Sequence, residues 1–130
     1  MYKKRIVDKE IESLMNAPVA IQLIGPKWCG KTTTAKHHSK SFIDLQDPDK
    51  SNDYKRIAEG NIKLLLEGEK PRLIDEWQEI KQVWNAVRRE VDNNQTNKLE
   101  YFLAGSVIPP TLEGLHTGVG RIISLKMKTM

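Results

Sequence analysis

Eight consecutive residues, Gly25-Pro26-Lys27-Trp28-Cys29-Gly30-Lys31-Thr32, have the spacing G-x-x-x-x-G-K-T of a phosphate-binding loop. Glycines let the backbone wrap with its N–H groups inward, the ammonium of Lys31 reaches β- and γ-phosphates, and the hydroxyl of Thr32 ligates Mg²⁺. The apolar run Ala20-Ile21-Gln22-Leu23-Ile24 precedes the loop and a helix-compatible stretch from Thr33 to Lys40 follows it. A chance match in a glycine-containing turn would lack those flanks, and the helix N-terminus adds partial positive charge where an anion sits. Contacts to a nucleotide are expected from Gly25, Pro26, Lys27, Trp28, Cys29, Gly30, Lys31, Thr32 and Thr33.

A second constellation follows at Arg72-Leu73-Ile74-Asp75-Glu76. An apolar strand ending in Asp puts a carboxylate at the carboxyl edge of a sheet, where Asp75 would join Thr32 in holding Mg²⁺. Glu76, the next residue, is placed to take a proton from an attacking water. Ser106, after Gly105, is either a γ-phosphate contact or a simple turn residue. Arg121, after Gly118-Val119-Gly120, is either a guanidinium delivered to the γ-phosphate of its own or a neighbouring subunit, or a salt-bridged residue at a strand start. The expected catalytic set is Glu76, Lys31 and Arg121.

Other eye-catching residues carry less. His37 and His38 are adjacent on a helix, about 100° apart, and do not chelate one metal together; they read as surface histidines. His116 alone is weak. Cys29 reads as a small filler, and Trp77 and Trp84 as packing residues, whereas an indole at a loop tip, Trp28, is unusual.

Around these residues the pattern alternates strand and helix, as in a parallel sheet covered on both faces. Ile6 to Met15 reads as a leading helix with contacts from Ile6, Ile11 and Leu14. Ala20–Ile24 is the first strand and Phe42-Ile43-Asp44-Leu45 the second. A helix capped by Ser51 or Asn52 runs to about Glu67, with Ile57, Asn61, Leu64 and Leu65 along one side. Residues 71–76 form a third strand, Ile80 to about Val91 a helix, Tyr101-Phe102-Leu103-Ala104 a fourth strand and Arg121-Ile122-Ile123-Ser124-Leu125 a fifth.

The chain has 130 residues, enough for one domain with a core and near the lower limit for such a fold. No run approaches the ~18 apolar residues of a membrane span. The basic start Met1-Tyr2-Lys3-Lys4-Arg5 leads into acidic residues, not into the apolar core of a signal peptide. The single cysteine fits a reducing, cytoplasmic setting. A net charge of +4 is spread along the chain and mixed with acids, which reads as a solvated surface and not as a nucleic-acid stripe.

Taken together, the phosphate loop with Thr33, Arg72 to Gln78, Trp84-Asn85-Ala86-Val87-Arg88-Arg89-Glu90-Val91-Asp92, Leu103-Ala104-Gly105-Ser106 and His116-Thr117-Gly118-Val119-Gly120-Arg121 resemble a family of prokaryotic ATP-binding proteins in the AAA+ superfamily. The resemblance implies an α/β P-loop NTPase fold: a five-stranded, mostly parallel sheet between helices, with Walker A at residues 25–32, Walker B at 73–76 and a sensor-like Ser106. It implies ATP and Mg²⁺ as ligands and hydrolysis of ATP to ADP and phosphate.

Ala104 departs from a threonine common in the family. Family members continue into a helical lid and a second, nuclease-like domain, so residues 1–130 are expected to be the ATPase core of a truncated product, with a reduced stand-alone domain as the alternative. Nucleotide binding with weak hydrolysis is then expected, since lid closure excludes water. A homo-oligomer, an unidentified protein partner, and DNA through the absent domain are the partners the resemblance allows; a membrane is not. Two other functions stay open: a small-molecule kinase on the same loop, and a non-catalytic, nucleotide-dependent interaction module.

Overall fold

In the computed structural model, which describes residues 6–26, 29–105 and 121–127, the alternating pattern resolves into a sheet of five strands, all paired in parallel. The elements in chain order are α1 (Ile6–Leu14), β1 (Ala20–Ile24), α2 (Lys31–His38), β2 (Ser41–Asp44), α3 (Ser51–Asn61), α4 (Lys63–Leu66), β3 (Arg72–Asp75), a 3₁₀ turn (Trp77–Ile80), α5 (Gln82–Asp92), β4 (Tyr101–Gly105) and β5 (Ile122–Lys126). Spatially the strands run β2-β3-β4-β1-β5. After β1 the chain therefore crosses to the far edge and works its way back, so β1 lies where the strand order reverses. Ligands of open parallel sheets bind beyond the carboxyl ends of the strands at such a point.

Alternate side chains along each strand feed opposite layers, as the two-residue repeat of a strand demands. Ala20, Ile74, Tyr101, Leu103 and Ile122 pack with Leu65, Leu66, Trp77, Ile80, Val83, Trp84, Val87 and Val91, on the side of α4 and α5. Ile21, Leu23, Leu73, Phe102, Ala104 and Leu125 pack with Val7, Ile11, Cys29 and Ala35, on the side of α1 and α2. Burial of each large side chain contributes about 1.5–3 kcal/mol. Every residue of β1 and β4 is buried, which is why both read as unbroken apolar runs. Trp77 and Trp84 are the packing residues expected, with ring centroids 5.2 Å apart.

The differences from expectation have local causes. The helix expected to run from Ser51 to Glu67 is present as α3 and α4, joined through Ile62, which keeps right-handed helical dihedrals of φ −61° and ψ −24°; beside it the side chain of Asn61 accepts the backbone N–H of Lys63 at 3.2 Å. Neither Ser51 nor Asn52 caps it. The helix starts at Ser51, and the carbonyl of Asp47 takes the N–H groups of Lys50 and Ser51. No residue of α3 is buried, Leu64 is half-exposed, and α4 supplies the core through Leu65 and Leu66. In α1 the buried face is Val7, Asp8 and Ile11, while Ile6 is exposed.

Candidate functional site

Gly30 sits in the left-handed region at φ 87°, which glycine adopts without the clash a Cβ would bring, and it turns the loop directly into α2. The helix therefore begins at Lys31 and not at Thr33. Lys31 is buried, and its Nζ donates to the carbonyls of Gly25 at 2.7 Å and Pro26 at 3.0 Å. Both of these acceptors are neutral carbonyls of the loop itself. Cys29 is fully buried in the core layer below the loop, as a filler would be.

Thr32 Oγ1 donates to Asp75 Oδ2 at 3.0 Å, across 43 residues of sequence. Thr32 lies in the first turn of α2, after β1, and Asp75 ends β3; those two strands are not neighbours, because β4 lies between. The parallel register brings the ends level, pairing Ile24 with Gly105 and Asp75 with Ala104. Burial pushes the carboxyl of Asp75 above its ordinary range; the Thr32 hydroxyl pulls it down, and the carboxylates of Glu76 and Asp44 push it up again. Asp44 is there because it pairs in register with Asp75 at the end of β2.

A hydroxyl and a carboxylate, both hard oxygen donors, suit Mg²⁺. Among the described residues no group of three or more His, Cys, Asp or Glu side chains could hold a metal alone. Magnesium is commonly held by one or two protein oxygens, and the Thr32 hydroxyl and Asp75 carboxylate are of the kind that fits it.

Glu76 follows with φ 55° and ψ 47°, left-handed for a residue with a side chain, and its Oε2 accepts a hydrogen bond from Gln78 Nε2. Arg121 lies elsewhere. It precedes β5, its carbonyl accepts the N–H of Ala20 at the start of β1, and its guanidinium pairs with Asp92 at the end of α5. This is the amino edge of the sheet, about 17 Å from the carboxyl edge across a five-residue strand. Within one chain Arg121 stands at the opposite edge of the sheet from Thr32 and Asp75, which goes against a finger for its own nucleotide, and its pair with Asp92 matches the salt-bridged strand start. Lys27, Trp28, Ser106, His116 and residues 118–120 lie outside the described residues.

His38 is not the surface histidine expected. Its side chain is about nine-tenths buried, with Nε2 2.7 Å from Asp8 Oδ1 and the ring tilted against Phe102, while His37 is exposed. Nothing in the local pattern marks Asp8, an acid on a mostly polar helix. Gln78 was missed for a different reason: Trp77–Ile80 forms a 3₁₀ turn, a period too short to stand out beside α5. Among the described residues no helix is long and apolar enough to cross a membrane.

Comparison with solved structures agrees with this architecture. A crystal structure of a DNA replication initiation factor superposes with a TM-score of 0.54, at 16% sequence identity, over 94% of this chain and 44% of that one. This chain therefore spans less than half of that protein. C. elegans PCH-2 gives a TM-score of 0.46 at 17% identity, over 85% of this chain and 35% of that one. No curated protein matches the chain in sequence. Residues 17–130 match the family model of an AAA domain, and the chain belongs to that family, with the five-stranded P-loop core of an AAA+ ATPase.

Proposed function

We propose that this domain binds Mg-ATP at the carboxyl edge of β1 and β3 and hydrolyses it to ADP and phosphate in the cytoplasm. The observation that carries the reading is the 3.0 Å contact between Thr32 Oγ1 and Asp75 Oδ2, which brings the two magnesium-ligand types together at the mouth of the phosphate loop. The loop amides and the ammonium of Lys31 bind the phosphates. On binding, Lys31 exchanges its two neutral carbonyl acceptors for anionic phosphate oxygens, so that donor and acceptor both carry charge. Thr32 and Asp75 would hold magnesium, which neutralises charge on the β- and γ-phosphates when bound. Glu76 orients the water and takes its proton.

Arg121 acts, in this reading, on the nucleotide of a neighbouring copy, because its own site is at the opposite edge of the sheet. A guanidinium so delivered contributes roughly 10³–10⁵ in rate. An assembly of like chains follows as a requirement for full activity.

Calorimetry with Mg-ATP, Mg-GTP and ATP in EDTA, combined with phosphate release, tests this. Expected are heat with Mg-ATP, much less in EDTA, slow phosphate release by the wild type, and retained binding without release in Glu76→Gln. Absence of heat with either Mg-nucleotide rejects the site. Equal release by wild type and Glu76→Gln rejects Glu76 as the base, and binding without any release by the wild type favours a nucleotide-dependent interaction module.

A further inference from the structure

The chemistry above makes no use of Gln78, yet its side chain spans the site. The left-handed Glu76 swings the chain from β3 into the 3₁₀ turn, a conformation that is strained for a residue with a Cβ. The turn returns Gln78 to its neighbour, where Nε2 donates to Glu76 Oε2. The other end of the same amide, Oε1, is buried and has no hydrogen-bond partner among the described residues. The amide has one workable orientation: reversed, it would set its oxygen against a carboxylate.

Oε1 is buried against Gly105. A Cβ placed on that glycine would stand 2.2 Å from Gln78 Oε1, too close for the two to coexist, and a tight 3.2 Å from Cδ, so the amide would have to move aside. The backbone of Gly105 is an ordinary strand position, so its missing side chain serves to admit the amide. Gly105 ends β4 and pairs with Ile24, the last strand residue before the phosphate loop. Leaving a buried acceptor unsatisfied is unfavourable for folding, so stability alone does not account for an amide in this notch.

We propose that Gln78 is the positioning residue for Glu76: wedged in the notch at Gly105, its amide fixes Oε2 of the carboxylate and leaves Oε1 to take the proton of the attacking water. The inference rests on the reading of Glu76 as the base. One bond is fixed at Glu76 by the donor, and the direction of that donor is fixed by β4. The orientation of the base is thereby tied to the strand lying between the two halves of the phosphate site.

The test uses the 130-residue chain with excess protein over Mg-ATP, so that a single slow turnover can be followed. Gln78→Ala and Gln78→Glu are expected to slow phosphate release about 10–100-fold, the usual cost of a misplaced catalytic group, with ATP affinity within about twofold of wild type. Gly105→Ala is expected to slow release as Gln78→Ala does, because the new methyl displaces the amide. The double variant Gln78→Ala/Gly105→Ala is expected to be no slower than Gln78→Ala alone, since the clash has gone.

In ¹⁵N-correlated spectra the side-chain amide of Gln78 is expected to shift on Glu76→Gln and on Gly105→Ala. If Glu76→Gln abolishes release while Gln78→Ala matches wild type, the positioning role fails and the base survives. If Glu76→Gln matches wild type, the base reading fails and takes the inference with it. Additive losses in the double variant, or an amide signal indifferent to both substitutions, overturn the proposal even where turnover is slow.

Discussion

The Sγ of Cys29 lies 2.7 Å from the place a Cβ on Gly25 would occupy, and the carbonyl oxygen of Met127 is equally close to that place. The root of the phosphate loop is thus confined by its own cysteine and by the residue after β5, whose N–H donates to Ile24 at 2.7 Å. Gly25→Ala should displace the loop, destabilise the fold by about 1–3 kcal/mol as overpacking does, and weaken Mg-ATP binding at least about tenfold. Adding Cys29→Ala should recover only part, because the Met127 carbonyl remains. Thermal melts and calorimetry on the three variants would show it, and full recovery would discount Met127.

Asp75 is held at a cost that the nucleotide-free protein bears. Burial raises its folded pKa above the ordinary 3.8, so the folded state binds the proton more tightly than the unfolded one. Stability in the absence of nucleotide should therefore fall as pH rises from about 3.8 through the raised value. Asp75→Asn should remove that slope, since its Oδ1 can take the Glu76 N–H and its Nδ2 can donate to a rotated Thr32 hydroxyl. A rise in Tm of a few degrees at neutral pH, the response to about 1 kcal/mol, is expected together with loss of magnesium-dependent ATP binding. A lower Tm for Asp75→Asn would contradict the burial account.

Asp8 and His38 join α1 to the end of α2, far along the helix from the phosphates. His38→Ala should remove one hydrogen-bond partner from the buried Asp8 carboxylate and lower stability by about 1–3 kcal/mol, with His38→Gln milder because its amide can still donate. ATP affinity per folded molecule should be unchanged. Denaturant titration beside calorimetry would separate these effects, and a loss of affinity without a loss of stability would place the pair in the site.

Arg121→Ala and Glu76→Gln disable different partners of one reaction if Arg121 serves a neighbour. Each alone should release phosphate at least about 10²-fold more slowly than wild type. Mixed, they should regain activity, because a Glu76→Gln copy still offers its arginine to the intact site of an Arg121→Ala copy. No recovery on mixing, in a preparation shown to exchange subunits, would remove Arg121 from the reaction.

The turn from β1 into α2 at Gly30, the Asp75 strand and the packing of Val83, Trp84, Val87 and Val91 were legible because each is written in consecutive or periodic residues. The strands matched to within a residue or two for the same reason: buried parallel strands leave apolar runs. The Asp8–His38 pair, the Arg121–Asp92 pair and the notch at Gly105 were not legible. Each joins residues about 27 to 30 positions apart, and no local propensity encodes such a meeting.

Trp77 and Trp84, tilted 39° to each other, are close enough to share excitation, and Trp77 Cδ1 lies 3.4 Å from the Cβ position of Gly105. Any shift at the tip of β4 is therefore felt by one member of a coupled chromophore pair. The near-ultraviolet circular dichroism of the unlabelled chain becomes a spectroscopic gauge of that tip, able to register nucleotide arrival without a reporter dye.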